Sequence, residues 1–157
     1  MSKFQDLVVF QRAVDLSVHI YEVTRTFPKE EMYGLTSQLR RASYGVVSNI
    51  AEGEGRLTYG ERRQFLSQAR GSLFEVEGQS IIAERLGFLT ADAHAAIRVH
   101  VRKTGKALIG YIRWVKKMEE SIAKPRNPAA AKPTTSANRS RRACPPASPL
   151  QTPPPAT

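Results

Sequence analysis

From Val9 to Ile122 apolar residues recur at the three-and-four spacing of a helix buried along one side, and the recurrence breaks at three places. Val9, Ala13, Leu16, Ile20, Val23 and Phe27 form the first stripe, widened by Phe10, Val14 and Tyr21, which predicts a helix over 8–26. Pro28 ends it, because the residue before a proline is pushed out of the α region. After a short link over 29–34, Leu35, Leu39, Ala42, Val46 and Ile50 carry a second helix to about Gly53. Phe65, Leu66, Ala69, Leu73, Val76 and Ala83 predict a third over 59–86. Ile97, Val101, Leu108, Ile112, Val115 and Ile122 predict a fourth over 91–122, all facing inward.

The breaks are chemically distinct. Gly53 and Gly55 offer positions where the backbone can take positive φ, which suits a helix C-cap. Thr58 with Glu61 three residues on has the form of a capping box. Gly87 is a natural C-cap, and Thr90 can cap the last helix. Gly71 and Gly78 lie inside the third helix, where glycine costs about 1 kcal/mol relative to alanine. Close approach of a neighbouring helix is the expected return. The fourth helix, at roughly 30 residues, is about 45 Å long. Helices of this length joined by short links bury their stripes by lying antiparallel. The fold class is therefore all-α, an antiparallel up-down-up-down four-helix bundle.

Composition divides the chain. Of the net charge of +10, six positive charges and no acid lie in residues 124–157, which leaves +4 on residues 1–123. Nine of the ten prolines also lie in 124–157. Proline forbids helix interiors, and few large apolar residues are there to bury. The expected organisation is a bundle domain over 1–123 and a disordered, basic, proline-rich tail over 124–157. A single cysteine, Cys144, excludes an internal disulfide framework. The first residues form no apolar run of signal-peptide length, and no stretch approaches a membrane span. The expectation is a soluble cytoplasmic protein with no membrane partner.

Candidate chemistry is sparse. Bundle di-metal sites need a Glu-x-x-His motif, but Leu16, Ala91 and Ile97 stand three residues before His19, His94 and His100. Cys144 sits among prolines with no base presented to it. Gly53-Glu54-Gly55 follows a helix and lacks the continuation of a phosphate loop. Glu75 and Glu77 point to different sides of a helix. No enzyme activity, metal or cofactor is expected. Arg98, Arg102, Lys106, Arg113 and Lys117 do share one side of the fourth helix, widened by Lys103 and Lys116, with acids only near its ends. Arg40-Arg41 and Arg62-Arg63 add basic pairs. Positive charge without acids beside it is the footprint of phosphate binding. No aromatic residue is interleaved with these arginines as a base platform, and no helix-turn-helix pattern is present.

The string Ser48-Asn49-Ile50-Ala51-Glu52-Gly53 resembles the signature of the four-helix-bundle proteins encoded in intervening sequences of bacterial 23S rRNA genes. Upstream, the resemblance continues through Phe4-Gln5-Asp6-Leu7, Phe27-Pro28, Tyr33-Gly34-Leu35-Thr36 and Gln38-Leu39-Arg40-Arg41-Ala42. Downstream it takes in Ala69-Arg70-Gly71-Ser72-Leu73, Glu75 and Leu86-Gly87-Phe88-Leu89. Two positions depart from the pattern: Gly45-Val46-Val47 replaces a serine–aliphatic–proline run, and Gly78 replaces a bulkier residue. The resemblance implies the bundle, a ring-like homopentamer, a link to ribosomal RNA genes, and kinship to accessory proteins of retroelements that bind a reverse transcriptase and nucleic acid. Val8, Tyr21, Tyr44, Val47 and Leu66, beside the principal stripes, add apolar surface for self-association. The leading expectation is a non-enzymatic, self-assembling bundle whose basic residues Arg98, Arg102, Lys106, Arg113, Lys117, Arg40 and Arg41 bind RNA or DNA without strong sequence specificity. The alternative is a protein–protein interaction scaffold, for example an accessory to a reverse transcriptase.

Overall fold

The computed structural model describes residues 4–123; the expected tail over 124–157, with Cys144, lies outside the described residues. Four helices account for most of them: α1 (Val8–Val23), α2 (Leu35–Glu54), α3 (Tyr59–Arg85) and α4 (Ala91–Ala123). Short 3₁₀ turns at Phe4–Asp6, Thr24–Thr26 and Lys29–Met32 precede α1 and join α1 to α2. No strand occurs among the described residues.

Cross-helix contacts fix the topology. Ser17 meets Ser43 and Arg40 meets Thr24, so α1 and α2 run antiparallel. Gly45 faces Ser72 and Gly53 faces Phe65, which sets α3 antiparallel to α2. His94 reaches Glu84 while Gly60 faces Glu119, so α4 returns along α3. His100 stacks on His19, and the Thr104 hydroxyl donates to the Arg12 carbonyl at 3.0 Å, closing the ring between α4 and α1. Each helix thus packs on two neighbours, in an up-down-up-down bundle.

The stripes read from the sequence form the core. Val9, Ala13, Leu16 and Ile20 of α1 meet Leu39, Ala42, Val46 and Ile50 of α2. Leu66, Ala69, Leu73, Val76 and Ala83 of α3 and Ile97, Val101, Leu108 and Val115 of α4 complete it. Several expectations are corrected. Leu66 is fully buried and offers no outer surface. Ile122 is 72% exposed, because α1 starts at Val8, beside Ala107 and Gly110, and does not reach the last turns of α4. The first helix changes to 3₁₀ at Thr24, whose buried hydroxyl donates to the carbonyl of Ile20 at 2.8 Å. The close-approach glycines are not Gly71 and Gly78, which are exposed with open space where a side chain would stand.

Instead α2 approaches α3 at Gly45 and Gly53. A Cβ on Gly45 would lie 3.1 Å from Ser72 Oγ, and one on Gly53 would lie 3.2 Å from Phe65 Cβ. Neither Gly53 nor Gly55 takes positive φ. Gly53 is inside α2, and Gly55 caps it in right-handed conformation at φ −76°. Gly87, at φ +75°, is the one described residue that uses glycine's left-handed freedom. The capping box is present: the Thr58 hydroxyl accepts from the Glu61 N–H and the Glu61 carboxylate accepts from the Thr58 N–H. No described helix is long and apolar enough to cross a membrane.

Candidate nucleic-acid interface

The basic ridge is a consequence of how α4 is buried. His94, Ile97, Val101, Thr104, Leu108 and Val115 turn inward, which leaves Arg98, Arg102, Lys106, Arg113 and Lys117 on the outer side. All five are exposed, and none forms an ion pair with another described residue. The acids at the end of α4 are engaged elsewhere: Glu119 pairs with Arg63 of α3 at 3.1 Å, and Glu120 lies 3.9 Å from Lys116. From Arg98 to Lys117 the ridge is about 28 Å long at 1.5 Å per residue.

The structure adds two residues that the sequence reading missed. Arg70 and Phe74 stand one turn apart on α3 and line a groove against Arg98, Arg102 and Lys106. The groove holds about 370 Å³. Leu73, Val101 and Gly105 form its floor, Phe74 and Ile109 its apolar sides, and Glu77 is its one carboxylate. Gly105 keeps the floor low; its Cα lacks the carbon that would stand 3.5 Å from Leu73. A second hollow lined by Arg63, Gln64, Ser67, Arg70 and Ile112 continues along the same two helices. Tyr111 and Trp114 of α4 lie toward the start of α1, so the groove's aromatic residue comes from α3. The sequence signal was the i, i+4 pair Arg70 and Phe74 outside the α3 stripe.

Arg40 and Arg41 are not brought to this face. Arg40 Nε donates to Thr24 Oγ1 at 2.8 Å, and its guanidinium lies 4.8 Å over the Tyr21 ring, so it ties α2 to α1. Arg41 donates to Gln38 Oε1 at 2.6 Å. Since α2 packs on α1 and α3, it stands diagonally across from α4.

Four members of the signature string Ser48–Gly53 have structural partners. Asn49 Nδ2 donates to the Gly45 carbonyl at 2.8 Å, Ile50 is in the core, and Glu52 pairs with Arg56. Gly53 lets α3 cross. Just beyond it, Glu54 accepts from the Tyr111 hydroxyl at 2.6 Å and lies 3.5 Å from Arg62 Nε. Burial, then the bond to Glu54, pushes the Tyr111 phenol well above its ordinary pKa, so it stays a donor. Trp114 stacks on Tyr111 with ring centres 5.5 Å apart. This cluster pins the corner between α2 and α3 to α4.

The histidines serve packing. His94 is buried with Nδ1 at 2.6 Å from Glu84 Oε2. His100 stacks on His19 at 4.8 Å, and desolvation, then the charge of His19, holds its pKa below the usual value. No cluster of three or more metal-ligating side chains occurs among the described residues.

Helices alone, closed as an antiparallel up-down-up-down bundle with a basic outer ridge, define the class of protein. The family model described as 23S rRNA-intervening sequence protein matches residues 5–110, and the chain belongs to that family. A crystal structure of a protein with unknown function, from the S23 ribosomal protein family of Bacteroides thetaiotaomicron VPI-5482, has a similar fold. It is 21% identical, covers 69% of this chain and 98% of its own, and superposes with a TM-score of 0.64. No curated protein matches the chain.

Proposed function

We propose that the protein is a non-enzymatic, self-assembling bundle that holds RNA or DNA by its phosphates along α4, without strong sequence specificity. The observation that carries this reading is the ridge of five exposed cations, Arg98, Arg102, Lys106, Arg113 and Lys117, with no acid paired to them among the described residues. Such a ridge gains affinity by displacing counterions from a polyanion, a gain independent of base sequence. Assembly repeats the ridge on each subunit, and repeats that engage one strand together turn weak contacts into measurable binding. Self-association is supported by the family resemblance and by exposed apolar residues such as Val8, Tyr21, Tyr44 and Leu57.

The test compares the full chain with its Arg98→Gln/Arg102→Gln/Lys106→Gln variant. The basic residues of 124–157 are common to both, so the difference isolates α4. The variant is expected to bind RNA and DNA at least tenfold more weakly. Its log–log salt slope should be shallower by about 2–3, from roughly 0.7–0.9 per lost phosphate contact. Light scattering should show the same oligomer for both, with a pentamer expected. Equal affinity and slope in the two proteins would refute the α4 reading and leave the protein-scaffold alternative, such as an accessory to a reverse transcriptase.

A further inference from the structure

We infer that the groove between α3 and α4 seats an unpaired nucleotide base, so that the ligand of this surface is a single strand. This rests on the phosphate-binding reading of α4 and goes beyond it, because the ridge alone does not distinguish one strand from two.

Three features point to a base. Phe74 is 63% exposed at the side of the groove, a large apolar area left open to water. Beside it the floor of Leu73, Val101 and Gly105 is apolar, while Arg70, Arg98, Arg102 and Lys106 stand around it. A nucleotide has this same composition, an apolar ring face carried on an anionic backbone. Aromatic side chains set among cations along a backbone track are the means by which proteins hold single strands irrespective of sequence.

The volume and the charge pattern narrow the occupant further. At about 370 Å³ the groove is near the small end of ligand pockets, a size that admits a nucleobase. In a duplex the base faces are covered by their neighbours, so a base reaches such a seat only from a single strand or after flipping out. An acidic peptide would also meet the cations around the groove. However, the cations continue to Arg113 and Lys117, about two and three turns beyond Lys106. That continuation matches a ligand with a charge at every residue, as a phosphate backbone has.

The experiment measures the full chain against a 20-nucleotide RNA, alone and annealed to its complement. Charge density favours the duplex, so a preference for the single strand does not come from the ridge. The expected result is tighter binding of the single strand. Phe74→Ala should weaken single-strand binding roughly tenfold, the range measured for loss of one base–aromatic stack. Its duplex affinity and salt slope should be unchanged, since no charge is removed, and Phe74→Trp should retain the preference. Gly105→Ala, which raises the floor without a clash, should also weaken single-strand binding while leaving the duplex alone. If Phe74→Ala binds both forms as the parent does, the base seat is wrong and the phosphate ridge stands. If the parent shows no salt-dependent binding, both readings fall. If Phe74→Ala instead breaks the oligomer in light scattering, a second copy of the chain covers the groove and the inference is overturned.

Discussion

Ile50→Ala should lower the unfolding free energy by about 2–5 kcal/mol, measured by urea denaturation, while Ser48→Ala and Glu52→Ala should each stay within about 0.5 kcal/mol of the parent. All three positions belong to one six-residue signature, so the contrast identifies what the signature is for. Ile50 is fully enclosed where α2 meets the other helices, and its truncation removes apolar contact and leaves a void that the surrounding helices fill only in part. Ser48 is exposed, and Glu52 makes a surface pair with Arg56 that is worth little in water. Large losses at Ser48 or Glu52 would show that the polar members of the string support the fold in a way the contacts do not account for.

Opposite signs are expected at glycines in neighbouring helices. Gly53→Val should destabilise by about 1–3 kcal/mol, because the new side chain meets Phe65 Cβ at 3.2 Å and the Arg62 carbonyl at 3.4 Å. Both atoms are held by the α3 backbone, so α3 must shift as a unit. Gly71→Ala and Gly78→Ala should each stabilise by about 0.5–1 kcal/mol, since both sit in exposed helix with open space around them and alanine loses less backbone freedom on folding. Thermal melts of the three single variants decide the matter. Stabilisation by Gly53→Val, or losses at Gly71 and Gly78, would invert the packing described here.

These glycines also mark where the sequence was legible. Helix existence, order and inward faces followed from apolar spacing, and the Thr58–Glu61 box placed the start of α3 to the residue. What spacing does not encode is which outer faces become neighbours. Gly53 was read for backbone freedom when its use is the approach of Phe65, a residue on another helix. Gly71 and Gly78 were read as contact points, yet they face water. The same limit hid the groove: the arginines of α4 were visible as a row, but Phe74 and Arg70 join them only once α3 is laid alongside. Arg40 and Arg41 show the converse, since a conspicuous pair of charges lies on the helix diagonal to that row. Ile122 kept the period of its helix after α1 had ceased to accompany it.

The ring closure between α4 and α1 has a kinetic meaning. The other three seams join helices consecutive in the chain, whereas Thr104 and Arg12 are 92 residues apart. Bringing such distant segments together carries the largest loop-closure entropy in the bundle, while each hairpin of consecutive helices closes a short loop. We expect the hairpins to form first and this seam to close last, which also makes it the first to part. Thr104→Val should then accelerate unfolding in stopped-flow traces and leave the refolding rate nearly unchanged; a refolding rate that falls with stability would place the seam in the folding nucleus instead.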